Sequence, residues 1–164
     1  MNVTDQAALA FFKAFAQLES ELKQHARFLI DARGRHSPAF IDWESVRQAA
    51  DLLSDPPLRE RLSEQTQLRM LGDPARNRPR RQEIIGTNTA KRAIFQYRLL
   101  PPTDAAALVE AAYRVRNNLF HGAKEQVWND NTDDDEPFVI AALEITQLLI
   151  KLMQSHELPL AALP

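Results

Sequence analysis

Within the stretch RVRNNLFHGAK, Arg114 to Lys124, one side chain trades protons near neutral pH, and it is His121. Five residues before it stands Arg116, whose planar guanidinium fits two phosphate oxygens at once. Asn117 adds an amide that donates and accepts, to a phosphate or to the imidazole. Arg114, Asn118 and Lys124 flank these three as candidate substrate contacts. Together the residue types point to proton transfer at a phosphate ester. A plainer reading stands beside this one, in which the stretch is only a helix end. Gly122 is then the left-handed residue that closes the helix, and His121 meets the negative end of the helix dipole. Spacing alone does not decide between them, because fifteen arginines and four histidines give about one such Arg–His pair by chance.

The element that carries the stretch constrains it further. Residues five apart on an ideal helix are offset by roughly 140°, so Arg116 and His121 do not share a face. Either the helix distorts or ends before His121, or two chains bring their motifs together. The helix itself is expected to start at a Thr103/Asp104 cap, with Leu108, Ala112, Val115 and Leu119 as its core stripe.

Elsewhere the pattern reads as helices. Residues 4–32 carry apolar side chains, Phe11, Phe15, Leu18 and Leu22 among them, at helical spacing, which predicts one helix of roughly 43 Å. Shorter helices are expected from Asp42 to Leu53 and from Leu58 to Leu71, separated by Asp55-Pro56-Pro57. The last and most apolar helix is expected from Pro137 to about His156, as the most buried one. GDPARNRPRRQEIIG, Gly72 to Gly86, has no apolar period and reads as a basic loop, and TNTAKRAIFQYRLL after it as a helix closed by Pro101-Pro102. No strand signal is read. The expected fold is all-α, an antiparallel helical bundle of one domain with a long basic loop and short extra helices.

Composition narrows the function. The chain has 164 residues, no cysteine and a net charge of −2, which leaves no thiolate metal site, no thiol nucleophile and no global basic field. No apolar run approaches bilayer-spanning length and no signal segment is read, so a cytoplasmic protein without a membrane partner is expected. Charge is nonetheless segregated. From Arg69 to Arg98 eight basic residues face two acidic ones, a balance of +6, while the rest of the chain carries −8. Arg78, Arg80 and Arg81 are the candidate phosphate contacts of that stretch, against the alternative of a solvated loop. The acidic run VWNDNTDDDEP lacks the glycine and terminal glutamate of a calcium loop and reads as a solvated turn within an acidic loop at 122–136. His25, His36 and His156 read as surface or helix-end residues, and Trp43 and Trp128 as core or interface aromatics, against the alternative of stacking on bases.

RNNLFHG resembles the signature of HEPN domains, small all-α proteins of which many are metal-independent ribonucleases. Arg116, Asn117 and His121 match its arginine, polar residue and histidine. The surrounding LVEAAYRVRNNLFHGAK is similar to stand-alone HEPN proteins, in which a helix runs into the motif and a glycine and a lysine follow. The motif covers seven residues. The resemblance implies catalytic roles for Arg116, Asn117 and His121, an RNA substrate, no cofactor, and a homodimer with both motifs lining one cleft. It further implies a toxin–antitoxin or antiphage setting with a partner protein. Cleavage of that kind leaves 2′,3′-cyclic phosphate and 5′-hydroxyl ends. Some family toxins carry a tyrosine two residues after the histidine, modified by a nucleotidyltransferase antitoxin; Ala123 stands there, which puts pairing with that class in doubt. A HEPN-fold module that binds RNA or protein without cutting is the second expectation, and an unrelated helical scaffold the third.

Overall fold

The computed structural model describes residues 3–31, 36, 38–121 and 136–159, with 120 and 121 as backbone. The described residues are mostly helical, with one two-stranded sheet. Helix α1, Asp5–Leu22, starts where the Thr4 hydroxyl accepts the Ala7 N–H at 3.2 Å, and it buries Phe11, Phe15, Leu18 and Leu22. Helix α2 is Trp43–Asp51, capped by the Asp42 carboxylate on the N–H groups of Glu44 and Ser45. Helix α3, Glu64–Leu71, is capped by the Ser63 hydroxyl, which accepts from Thr66 N–H. Helix α4, Asp104–His121, carries the motif, and helix α5, Glu136–Gln154, closes the domain. Ten of the 19 residues of α5 are buried, as its near-continuous apolar sequence requires.

Helices α1 and α5 pack in parallel. The Thr4 hydroxyl donates to Glu136 at one end, and Arg27 donates to the Pro159 carbonyl at the other. Helix α2 runs antiparallel along α4, with Trp43 against Tyr113, Arg47 paired with Glu110, and Asp51 accepting the Ala106 N–H. Helix α3 runs antiparallel along α5, from Ser63 and Thr66 on Glu144 to Arg69 over the ring of Phe138. Side chains such as Phe11, Phe28, Leu58, Leu108, Ile145 and Leu152 are fully buried where these helices meet, each contributing about 1.5–3 kcal/mol of transfer free energy.

Several expectations need correction. The parallel α1–α5 pair means the bundle is not wholly antiparallel. The long first helix stops at Leu22, eighteen residues in, and His25 is extended. The chain turns there because Phe28 is fully buried and Leu29 bridges Ile41, and these tertiary contacts outweigh the helical pattern of a segment rich in polar residues. Leu58–Leu71 is two pieces, a short 3-10 turn at Leu58–Arg61 and then α3, divided at Ser63 because that residue spends its hydroxyl as a cap. The cap of α4 also differs: Thr103 donates to Asp51, and it is Asp51 that accepts the Ala106 N–H of the first turn.

The largest correction lies between α3 and α4, where a loop and a helix are expected and two strands are found. Strand β1, Arg81–Ile85, pairs antiparallel with strand β2, Arg92–Gln96, in the register Arg81 to Gln96 through Ile85 to Arg92. The basic loop is thus irregular only as far as Arg80, and the helix expected over Thr87–Leu100 is a strand with its flanks. Gly86, at φ 107°, makes the tip: a Cβ there would meet the Ala90 carbonyl oxygen at 2.1 Å. QEII and AIFQ are short, β-branched or aromatic, and tied to the body from outside the hairpin, which local pattern cannot register. Among the described residues no helix is long and apolar enough to cross a membrane.

Candidate functional site

The last turns of α4 divide RVRNNLFH between two tasks. Arg114 is 4% exposed and points inward. Its Nε donates to Glu110 Oε1 at 2.8 Å, one turn earlier on the same helix. Its Nη1 donates to the carbonyls of Pro79 and Arg98 at 3.2 and 2.6 Å, and its Nη2 to that of Leu99 at 3.0 Å. The guanidinium therefore clamps both legs of the hairpin to the helix. One turn on, Asn118 is 3% exposed and donates from Nδ2 to the Arg80 carbonyl at 2.9 Å. Arg114 and Asn118 are structural anchors, and their expected role as substrate contacts is corrected: carbonyl oxygens that have lost water already hold their donors.

Behind Arg114 the charges alternate. Glu110 Oε2 accepts from Arg47 Nη1 at 2.7 Å, and Arg47 donates from Nη2 to Glu44 at 2.9 Å. Glu110 is the residue that makes the inward arginine tolerable, and its position four before Arg114 was the available signal for it.

Arg116 and Asn117 turn elsewhere. The Arg116 guanidinium lies 5.5 Å from the centre of the Phe15 ring and donates from Nη2 to Glu19 Oε1 at 3.2 Å, both partners on α1. Its Nη1 donates to Asn117 Oδ1 at 3.1 Å. The side chain is 24% exposed, so it is oriented but reachable. Glu19, 97 residues away in sequence, carries no local signal that would have revealed it. Helix α4 continues through position 121. An end to the helix before His121 is thereby excluded, and on an unbroken helix positions 117 and 121 fall one turn apart on one face while 116 and 121 diverge. The side chain of His121, and Gly122, Ala123, Lys124, Trp128 and the acidic stretch to 135, lie outside the described residues.

The hairpin sorts its arginines as well. Arg80 is 8% exposed, stacked over Phe95 at 5.5 Å and Tyr97 at 5.8 Å, so its expected role as a phosphate contact is corrected. Arg78 is half-buried over Tyr97 at 5.7 Å. Arg81 is exposed, as are Lys91 and Arg92 at the far end. Arg98 is held by Glu83 through two hydrogen bonds of 2.8 and 2.9 Å, and the bond from Arg98 lowers the Glu83 carboxyl below its ordinary value. Trp43 is a packed aromatic, stacked on Phe15 at 5.4 Å and tilted against Tyr113 at 5.0 Å.

Asn117 is also part of the wall of a groove of about 460 Å³ between α2, α4 and β1. Among the described residues no three His, Asp or Glu side chains gather closely enough to hold a metal ion. Compared with models of protein families, with curated proteins and with solved structures, the chain matches none.

Proposed function

We propose that the chain is a metal-independent endoribonuclease of the HEPN type, acting as a homodimer. The observation that carries this reading is the Arg116–Asn117 pair, hydrogen-bonded, oriented by Glu19 and still reachable, at the end of a helix that runs unbroken into His121. A guanidinium oriented by Glu19, Phe15 and Asn117 and still partly exposed is held as an arginine that meets a phosphate must be.

His121 takes the proton of a 2′-hydroxyl, and the 2′-oxygen attacks the adjacent phosphorus. The bond from phosphorus to the 5′-oxygen breaks, and that oxygen receives a proton from a second acid. The products are a 2′,3′-cyclic phosphate and a 5′-hydroxyl. Arg116 holds the extra negative charge of the phosphorane through its planar fork of N–H donors. Asn117, one turn before His121, sits at the spacing at which an amide orients an imidazole. One chain supplies a single histidine here, and its Arg116 diverges from it by roughly 140° on the helix. The second acid is therefore His121 of the partner subunit, with both motifs facing one cleft. RNA is the substrate, the cytoplasm the compartment, and a neutralising or triggering protein in a toxin–antitoxin or antiphage system the expected partner.

The test is incubation of purified protein with total RNA in EDTA, followed by end-group analysis. Cyclic phosphate and 5′-hydroxyl ends that vanish with His121→Ala are the expected result. Activity that needs added magnesium or manganese overturns the mechanism, and RNA binding without any cleavage favours the non-cutting module. A mixed dimer of wild-type and His121→Ala chains tests the shared cleft: a composite site loses nearly all activity, whereas two independent sites retain about half.

A further inference from the structure

The groove beside Asn117 has a lining that narrows what it takes. Its volume, about 460 Å³, falls within the roughly 300–1,000 Å³ of small-molecule sites. Among the described residues of the lining, three carboxylates, Asp42, Glu44 and Glu110, face three guanidiniums, Arg47, Arg81 and Arg114, so their charges balance. Arg47 and Arg114 are already paired with those carboxylates, whereas Arg81 is exposed on β1. A small anion alone would find little net field in such a place. A flat neutral heterocycle finds an aromatic wall in Trp43 and Tyr113, and an exposed acceptor in the Glu44 carboxylate. Asn117, which accepts from Arg116, opens on the same space.

We infer that this groove is a nucleotide subsite: the base lies against Trp43 and Tyr113, its phosphate meets Arg81, and the neighbouring scissile phosphate falls to Arg116 and Asn117. This rests on the ribonuclease reading for its link to cleavage. Glu44, the exposed carboxylate of the lining, accepts N–H but donates nothing, so a base with an exocyclic amino group is preferred over uracil beside it. The groove thereby sets the sequence preference of the cut, through α2 and β1 rather than through the motif.

The probe is a nucleoside monophosphate. In the 164-residue chain carrying Trp128→Phe, Trp43 is the sole tryptophan, and its emission reports on the groove. Titration with AMP, CMP, GMP and UMP is expected to give saturable quenching, with at least one amino-bearing nucleotide bound about 5-fold or more tighter than UMP. Arg81→Gln is expected to weaken the nucleotide about 5-fold while leaving the matching nucleoside unchanged. Glu44→Gln is expected to erase the preference over UMP. Equilibrium dialysis with radiolabelled nucleotide repeats the measurement without relying on fluorescence, and circular dichroism establishes that each variant is folded. Absence of saturable binding by both methods, or binding that Arg81→Gln and Glu44→Gln leave untouched, overturns the subsite. Parallel assays on RNA keep the two readings apart. Cleavage without nucleotide binding in the groove removes the subsite and leaves the nuclease, whereas binding in a protein that never cuts removes the nuclease and leaves a nucleotide-binding groove.

Discussion

Two faces of one short helical stretch, built from the same residue types, have opposite surroundings. On the inward face of α4, Arg114 and Asn118 are 4% and 3% exposed and their donors are spent on backbone carbonyls of the hairpin base. Off that face, Arg116 towards α1 and Asn117 towards the groove bond to each other and remain within reach of solvent. An arginine that leaves water must satisfy several acceptors and a countercharge, and Arg114 does so with three carbonyls and Glu110. An arginine kept for a ligand must be oriented without being enclosed, and Arg116, held by Glu19 at 3.2 Å with a ring beneath it, still meets solvent. From Arg114 to Asn118, burial separates spent donors from reachable ones where residue type does not.

Paired truncations separate the two arginines. Arg114→Ala leaves one oxygen of Glu110 and three carbonyls without their donor at a buried position, and a loss of about 3–5 kcal/mol in urea unfolding is expected. Arg114→Lys recovers only part of this, since a point charge cannot reach three acceptors in a planar fork. Arg116→Ala removes an ion pair that is about a quarter exposed, so its stability cost is expected below about 1 kcal/mol. Equal losses for the two arginines would erase the distinction.

Activity inverts the order. With Arg116→Ala, cleavage is expected to fall by about 100-fold or more at nearly unchanged unfolding midpoint, the size expected when one preorganised donor to a developing anion is lost. Glu19→Gln serves as the sharper probe. It keeps an acceptor for Nη2 but drops the charge, and a change in cleavage rate much smaller than that of Arg116→Ala is expected. A Glu19→Gln variant as dead as Arg116→Ala would make the carboxylate a participant rather than a support.

What was readable in the sequence follows the same division. The start of α1 at Thr4, the Asp42 cap, the core stripe Leu108–Ala112–Val115 and the burial of α5 all rest on local pattern, and they stand where the pattern put them. The hairpin was missed because its strands are five residues each and its anchors, Arg114 and Asn118, lie 15 to 38 positions away. The same distance concealed that Arg114, Asn118 and Arg80 are not available as ligand contacts: a basic residue looks alike in sequence whether it meets water or a carbonyl. Glu110, four residues before Arg114, and Glu44, three before Arg47, had a helical spacing to betray them.

A half-buried anchor elsewhere adds a titration to the contrast. Glu144 on α5 accepts from the Ser63 N–H at 2.6 Å, the Ser63 hydroxyl at 2.7 Å and the Thr66 hydroxyl, and so fixes the start of α3. Partial burial works to raise its carboxyl, but these bonds outweigh it and the net shift is downward from the ordinary value of 4.5. A depressed carboxyl contributes stability that is present above its unfolded value and lost as the pH falls through its folded one. Glu144→Gln is therefore expected to cost about 1–2 kcal/mol at pH 7, with the difference from wild type shrinking below pH 4.5. A difference independent of pH would mean that the hydrogen bonds, not the charge, hold α3.

The smallest effect is expected on the hairpin, where the same sorting by burial recurs among adjacent arginines. Arg81 is exposed, and Lys91 and Arg92 are exposed beyond it, whereas Arg80 is sandwiched over Phe95 and Tyr97. Each phosphate of a single strand that a side chain no longer neutralises flattens the dependence of log K on log salt by about 0.7. Arg81→Gln is expected to reduce that slope by about 0.7, and Arg81→Gln with Lys91→Gln and Arg92→Gln together by up to about 2, with no change in thermal midpoint. Arg80→Gln is expected to do the reverse, lowering the midpoint by removing cation–ring attraction of about 0.5–1 kcal/mol while leaving the slope alone. Measuring RNA binding between low and moderate salt separates the two, because stability and counterion release respond to different variables. A slope reduced by Arg80→Gln and untouched by Arg81→Gln would mean that the hairpin turns its aromatic side to RNA, exposing Arg80 on binding, and burial in the free chain would then no longer identify which cations meet phosphate.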